Sequence, residues 1–257
     1  MYTALVLLLI ALTSYFLLKK KRTAALLPDG NYNSLLENQV AYYQKLDAAS
    51  KVKFKKLVND FLNDTRIEGV GTEVTELDRV LIASSAVIPI FGFSGWKYKN
   101  LTNVILYPDT FDGEFQFEGS NRNICGMVGS GYMNGQMLLS RAALAKGFSK
   151  NADKENTAIH EFVHLLDKSD GATDGIPENL IAHEYVAPWL HMMHEEMRRI
   201  ETGQSDINPY ALTNEAEFFA VASEYFFEKP DQFAIKHPDI YRQLCIIFAQ
   251  DPAVGNN

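Results

Sequence analysis

Cysteine is nearly absent: the 257 residues hold two, Cys125 and Cys245. No disulfide framework and no cysteine-ligated zinc finger can be built from one distant pair, so any metal must sit on histidine and carboxylate. Positive charge is also short. Lys and Arg number 24 against 32 Asp and Glu, a net charge of −8. Residues 1–22 hold four of the basic residues and no acid, which leaves net −12 on the remainder. A body that acidic repels phosphate, and no nucleic-acid partner is expected. The body lacks internal repeats and low-complexity tracts. With 47% hydrophobic, 12% aromatic and 22% charged residues, disordered, collagen-like and coiled-coil classes fall away. What remains is a folded chain long enough to bury a substantial core.

The one long apolar run is residues 1–18, which carry no charged side chain. As a helix rising about 1.5 Å per residue it would reach roughly 27 Å, close to the hydrocarbon thickness of a bilayer. Lys19, Lys20, Lys21 and Arg22 follow it and no basic residue precedes it, the opposite of a cleavable secretory signal. The expectation is a single N-terminal transmembrane helix with a basic flank over 1–22, anchoring a cytoplasmic catalytic domain. Residues 23–34, with Pro28, Asp29 and Gly30, read as a linker.

Residues 35–257 form the expected folded body, with a helical part over about 35–100 and a catalytic part over about 101–252. Phe54, Leu57, Val58, Phe61 and Leu62 advance at helical spacing, so 35–64 reads as two helices broken near 46–50. A short strand is expected at 66–70. A helix follows at 76–87 and is closed by Pro89 and Gly92. Asn103–Tyr107 is a β-rich run stopped by Pro108, and 136–139 is another. Between them, 113–135 holds six glycines and reads as an extended loop or irregular hairpin. The class is α+β, mostly helical with a small sheet.

His160, Glu161, Phe162, Val163 and His164 spell HExxH. On a helix, positions four apart share a face, so both imidazoles can reach one cation while Glu161 addresses a water bound to it. Asn156 is placed to cap that helix, and Gly171 to end it. A catalytic zinc needs a third protein ligand and an open fourth position. The helical run from 213 to 227 offers Glu217 and Glu224, seven apart on one face. Asn214 followed three positions later by Glu217 also matches a capping box, in which that carboxylate only ties off backbone amides. Asp167, three after His164, is either an orienting partner for it or a solvated helix-end acid. His183, His191 and His194 lack ligand spacing and read as packing or surface residues, and His237 offers nothing further.

HEFVHLLDKSDG and NEAEFFAVASEYFF, preceded by ILYPDTF and GQMLLS, resemble the glucose-regulated zinc metallopeptidase family (Mlc titration factor A-like), with a lethal-factor-like gluzincin catalytic domain. The matching motifs spread over about residues 75–252. The resemblance implies a zincin-like fold and a zinc-dependent peptidase acting on peptide or protein substrates. It implies that Glu217 is the third metal ligand beside His160 and His164, and that Tyr210, seven residues before Glu217, helps to hold the oxyanion, with Glu161 as general base. By the same resemblance, substrate aligns along the run 136–139 as an added strand. It also implies a second possibility, a regulator that binds a protein partner and has little or no peptidase activity.

Overall fold

The computed structural model describes residues 29–119, 122–149 and 153–254. The first helix, α1 (Asp29–Gln39), begins inside the stretch read as a linker, and its Tyr32 and Leu36 are buried. Residue types that favour turns also serve at helix starts, so a turn-rich composition does not exclude a helix. After the short α2 (Ala41–Gln44), Asp47 accepts the Ser50 N–H at 2.6 Å and starts α3 (Ala48–Asp64), which buries Phe54, Val58 and Phe61.

Strand β1 (Arg66–Gly69) leads to α4 (Glu76–Ile90). Thr75 and Asp78 form a reciprocal capping box at its start, and Arg141 binds the Asp78 carboxylate at 2.8 and 3.0 Å. This helix runs three residues past the expected end. Pro89 in the last turn removes a donor but keeps a helical φ, and the Gln250 side-chain amide donates to the terminal carbonyls of Ile88 and Pro89.

Strands β2 (Asn103–Tyr107), β3 (Gly126–Val128) and β4 (Gln136–Ser140) complete a four-stranded sheet of order β1-β2-β4-β3. β1, β2 and β4 are parallel, and β3 is antiparallel to β4. The expectation that 136–139 offers an open edge is therefore corrected: β4 is paired on both sides, and the short β3, hidden in the glycine-rich stretch, is the edge on that side of the sheet. The Ser140 N–H bonds Cys125 O and the Gly129 N–H bonds Gln136 O. By the alternation of an antiparallel ladder, the N–H and C=O groups of Gly126 and Val128 then point away from β4.

Beyond β4 come α5 (Arg141–Gly147), α6 (Thr157–Asp167), α7 (His183–Glu201), α8 (Glu215–Glu228), α9 (Pro230–Lys236) and α10 (Pro238–Phe248). One hydrophobic cluster extends from Tyr32 to Phe248, continuous across the division expected near residue 100. Its centre is the packing of α6 on α8 and α4, with Phe162, Phe218, Phe219 and Trp189 wholly buried. Among the described residues the α+β, mostly helical class holds with no membrane-spanning helix, and on that finding the expected anchor and the localisation drawn from it are corrected. Among the described residues no helix is long and apolar enough to cross a membrane, and residues 1–22, on which that expectation rests, lie outside the described residues.

Candidate metal centre

Helix α6 is set by its cap and its apolar flank. The Asn156 side chain accepts the Ile159 N–H at 3.2 Å. Ile159, Phe162, Val163 and Leu166 are fully buried, which turns His160 and His164 together toward α8. There the Asn214 side chain accepts the Glu217 N–H at 2.9 Å, so Glu217 contributes its amide to the cap. Its carboxylate goes elsewhere. Glu217 Oε2 lies 2.9 Å from His160 Nε2 and 3.4 Å from His164 Nε2, and the two imidazole nitrogens are 3.0 Å apart. His160, His164 and Glu217 form the group that could hold a metal ion among the described residues.

Glu224, two turns further along α8, takes the other side of His160. Its Oε1 is 2.8 Å from His160 Nδ1, and its Oε2 accepts the Asn156 backbone N–H. One carboxylate thereby orients His160 and ties the start of α6 to α8. Next in line, Asn156 donates from its side-chain amide to the half-buried Glu228, whose carboxyl desolvation pushes up to about 7. Asp167 is wholly buried rather than solvated, and accepts the Gly175 N–H at 2.9 Å. Burial pushes its carboxyl up to about 6. Its other oxygen and His164 Nδ1 both lack a hydrogen-bond partner among the described residues. Gly175 is held at φ +76, with the Glu215 carbonyl where a side chain would stand and Trp189 Nε1 donating to its own carbonyl at 2.7 Å. The loop after α6 is thus locked against the start of α8.

The electrostatics favour a cation. Among the described residues, none of Glu161, Glu217 and Glu224 is paired with lysine or arginine. Burial opposes a charge on His160, but the carboxylates of Glu217 and Glu224 outweigh it and hold its proton up to about 10. Burial likewise raises Glu217, while His160 and His164 bring it down to about 2. A divalent ion feels the same attraction as that proton.

Glu161 is buried, and burial pushes its carboxyl up despite the neighbouring histidines. It lies directly under the edge strand: a side chain on Gly126 would stand 2.7 Å from Glu161 Oε1 and Cγ and 2.9 Å from Thr157. No motif marks Gly126. Only the pairing of β3 over α6 shows that the position requires glycine. Tyr210 sits in a 3-10 turn (Pro209–Leu212), half exposed, with its ring 6.1 Å from the His160 ring. Desolvation and the carboxylates of Glu217, Glu161 and Glu224 raise its hydroxyl.

His183, His191 and His194 stay on the exposed side of α7, where His191 meets Glu195 and His194 meets Glu215. His237 is a different matter. It is buried between Glu196 at 2.9 Å and Asp206 at 2.8 Å. These partners lie 41 and 31 positions upstream, so no local spacing announces them.

A family model for the glucose-regulated metallo-peptidase M90 matches residues 17–249. The chain belongs to that family. Mlc titration factor A of Cronobacter sakazakii is 32% identical over 214 residues, covering 78% of this chain and 79% of the relative. The protein of the same name from Klebsiella pneumoniae is 29% identical over 221 residues, 80% of this chain and 82% of its own. A Synechocystis protein is 26% identical over 239 residues, 88% and 86% of the two chains. Membership bears out the resemblance carried by the two helical motifs and implies a metallopeptidase-like domain with a metal.

Proposed function

We propose that this chain is a zinc-dependent peptidase of the gluzincin type, in which His160, His164 and Glu217 hold the metal and Glu161 is the general base. The observation that carries the reading is the convergence of two imidazole nitrogens and a carboxylate oxygen within 3.4 Å of one another. Tetrahedral zinc, with bonds of about 2.0–2.2 Å, sets its ligand atoms about 3.4 Å apart, and two histidines with one glutamate is a donor set suited to catalytic zinc. The residues therefore fit the ion.

When bound, zinc supplies Lewis-acid activation of water and polarises the scissile carbonyl. Glu161 takes the proton as the water oxygen attacks the carbonyl carbon. It then delivers that proton to the amine nitrogen as the C–N bond breaks, so no covalent enzyme intermediate forms. The Tyr210 hydroxyl donates to the carbonyl oxygen as negative charge builds there. Glu224 keeps the His160 ring in its ligating orientation. The peptide is held as an added strand on β3, through the outward N–H and C=O groups of Gly126 and Val128. Digestion of a peptide library by the metal-loaded protein tests this. Chelation should abolish cleavage and Glu161→Gln should abolish it without loss of metal. An unimpaired Glu161→Gln variant refutes the base.

The relatives' names support a second reading. They are called titration factors for Mlc, which points to a protein partner for this chain, with little or no peptidase activity. Partner binding that survives Glu161→Gln, with no peptide cut by the wild type, would favour it.

A further inference from the structure

Next to the metal centre lies a cavity of about 680 Å³, within the size range of pockets that hold small ligands or side chains. Its apolar wall is Trp96, Tyr98, Val128 and Leu165. Leu165 directly follows the ligand His164, and Val128 is the last residue of the edge strand, so the cavity continues the cleft beside β3. The wall is firm: the Trp96 ring packs edge-on against Tyr98 at 4.7 Å, Tyr98 contacts Phe162 at 5.2 Å, and the Tyr98 hydroxyl donates to Ala86 O. The rim carries Lys97, Lys99 and Lys168, and no carboxylate belongs to the lining. Lys97 is paired with Asp64, and Lys168 donates to Gly129 O. In a chain of net charge −8 this is a local reversal of sign.

The direction of the strand decides which part of a peptide reaches the cavity. Gly126 lies over Thr157 and Glu161 near the start of α6, and Gly129 lies at Lys168 just past its end, so β3 and α6 run the same way. Antiparallel pairing is the more stable ladder. A peptide paired antiparallel to β3, with its scissile bond over Glu161, runs from the Gly129 end toward Gly126. Its residues before the cut therefore pass over Val128 and Gly129, at the mouth of the cavity.

We infer that this cavity is a specificity pocket for the N-terminal side of the substrate, taking a bulky apolar side chain with an acidic residue beside it to meet the lysine rim. The inference rests on the peptidase reading for its place in the reaction, while occupancy of the pocket can be measured without turnover. Trp96 is one of two tryptophans, and the other, Trp189, is wholly buried, so a change in emission on peptide binding reports on Trp96.

The test titrates the metal-loaded full chain carrying Glu161→Gln with three peptides. One has glutamate and phenylalanine before the bond, one has glycine in place of the phenylalanine, and one has lysine in place of the glutamate. The first should change the emission, with glycine weakening binding about 10-fold and lysine weakening it about 3-fold. Trp96→Ala should remove the emission change. The exposed Lys99→Glu, which leaves the wall intact, should narrow or reverse the preference for glutamate over lysine. In a library digest by the otherwise wild-type chain, Lys99→Glu should shift residue preference before the cut and leave preference after it in place. Equal affinity for the three peptides, or binding with no change in emission, overturns the pocket even if peptides are cleaved. Discrimination among them with no cleavage by the wild type overturns the peptidase reading and leaves the pocket standing.

Discussion

Two buried histidines in this molecule have nearly the same neighbours and opposite prospects. His160 sits between Glu224 at 2.8 Å and Glu217 at 2.9 Å, and His237 between Asp206 at 2.8 Å and Glu196 at 2.9 Å. The difference lies in the next layer. Around His237 the negative charge is already balanced, since Lys154 and Lys236 each reach Asp206 at 2.6 Å and Arg199 reaches Glu196 at 2.9 Å. Around His160 the next group is a second imidazole, His164, with its nitrogen 3.0 Å away, and no lysine or arginine pairs with the carboxylates among the described residues. A histidine held by two acids is thus not by itself a metal site. A second imidazole nitrogen and an unbalanced carboxylate make it a candidate for one, whereas lysines make it a structural clamp.

The largest effect that sharpens this contrast is on turnover. Glu161→Gln should lower peptide cleavage about 10³-fold or more with metal content kept, read by initial rates and elemental analysis. Gly126→Ala should lower it about 10²-fold, because the added methyl displaces the Glu161 carboxylate by a fraction of an ångström to an ångström; wild-type rates would contradict the close approach of β3 to α6. On the clamp side, His237→Ala should cost about 3 kcal/mol of stability in chemical denaturation and leave metal affinity unchanged. The smaller change is Glu224→Gln, which should weaken metal binding about 10-fold without removing it.

The pH dependence of the clamp has a definite sign. Burial opposes a proton on His237, but Glu196 and Asp206 raise its pKa above 6.5. Its contribution is therefore complete below about 6.5 and fades as pH rises through the raised value. Burial works against Asp206 and Glu196 too, yet His237 and the neighbouring cations hold both below their usual 3.8 and 4.5, so their contribution is complete above those values and fades as pH falls. The stability difference between wild type and His237→Ala should peak between about pH 4.5 and 6.5; a difference that grows steadily above pH 9 would contradict the clamp.

The same contrast explains what could be read in advance. HExxH is legible because its spacing is the helix's own period, and Asn156 announces the cap. Glu217, 57 positions beyond His160, is ambiguous by spacing, since Asn214 makes it look like a capping residue. Only the family resemblance singles it out. Glu224 sits on the same face as Glu217, and that periodicity suggests a role without saying which histidine it orients. His237 and Asp206 carry no pattern at all, because their meeting depends on how α9 and α10 fold back on α7. The edge strand was hidden for another reason: β3 is three residues long and glycine-bearing, and its identity comes from pairing with β4. The longer, more apolar β4 reads as the strand that matters and proves to be interior.

The most direct test of the central claim is the stoichiometry and affinity of zinc binding, measured by calorimetry and elemental analysis on wild type, Glu217→Ala and His237→Ala. Wild type and His237→Ala should each bind one ion per chain, and Glu217→Ala should lose tight binding. Full-affinity binding by Glu217→Ala, or loss of the ion in a folded His237→Ala, would contradict the claim.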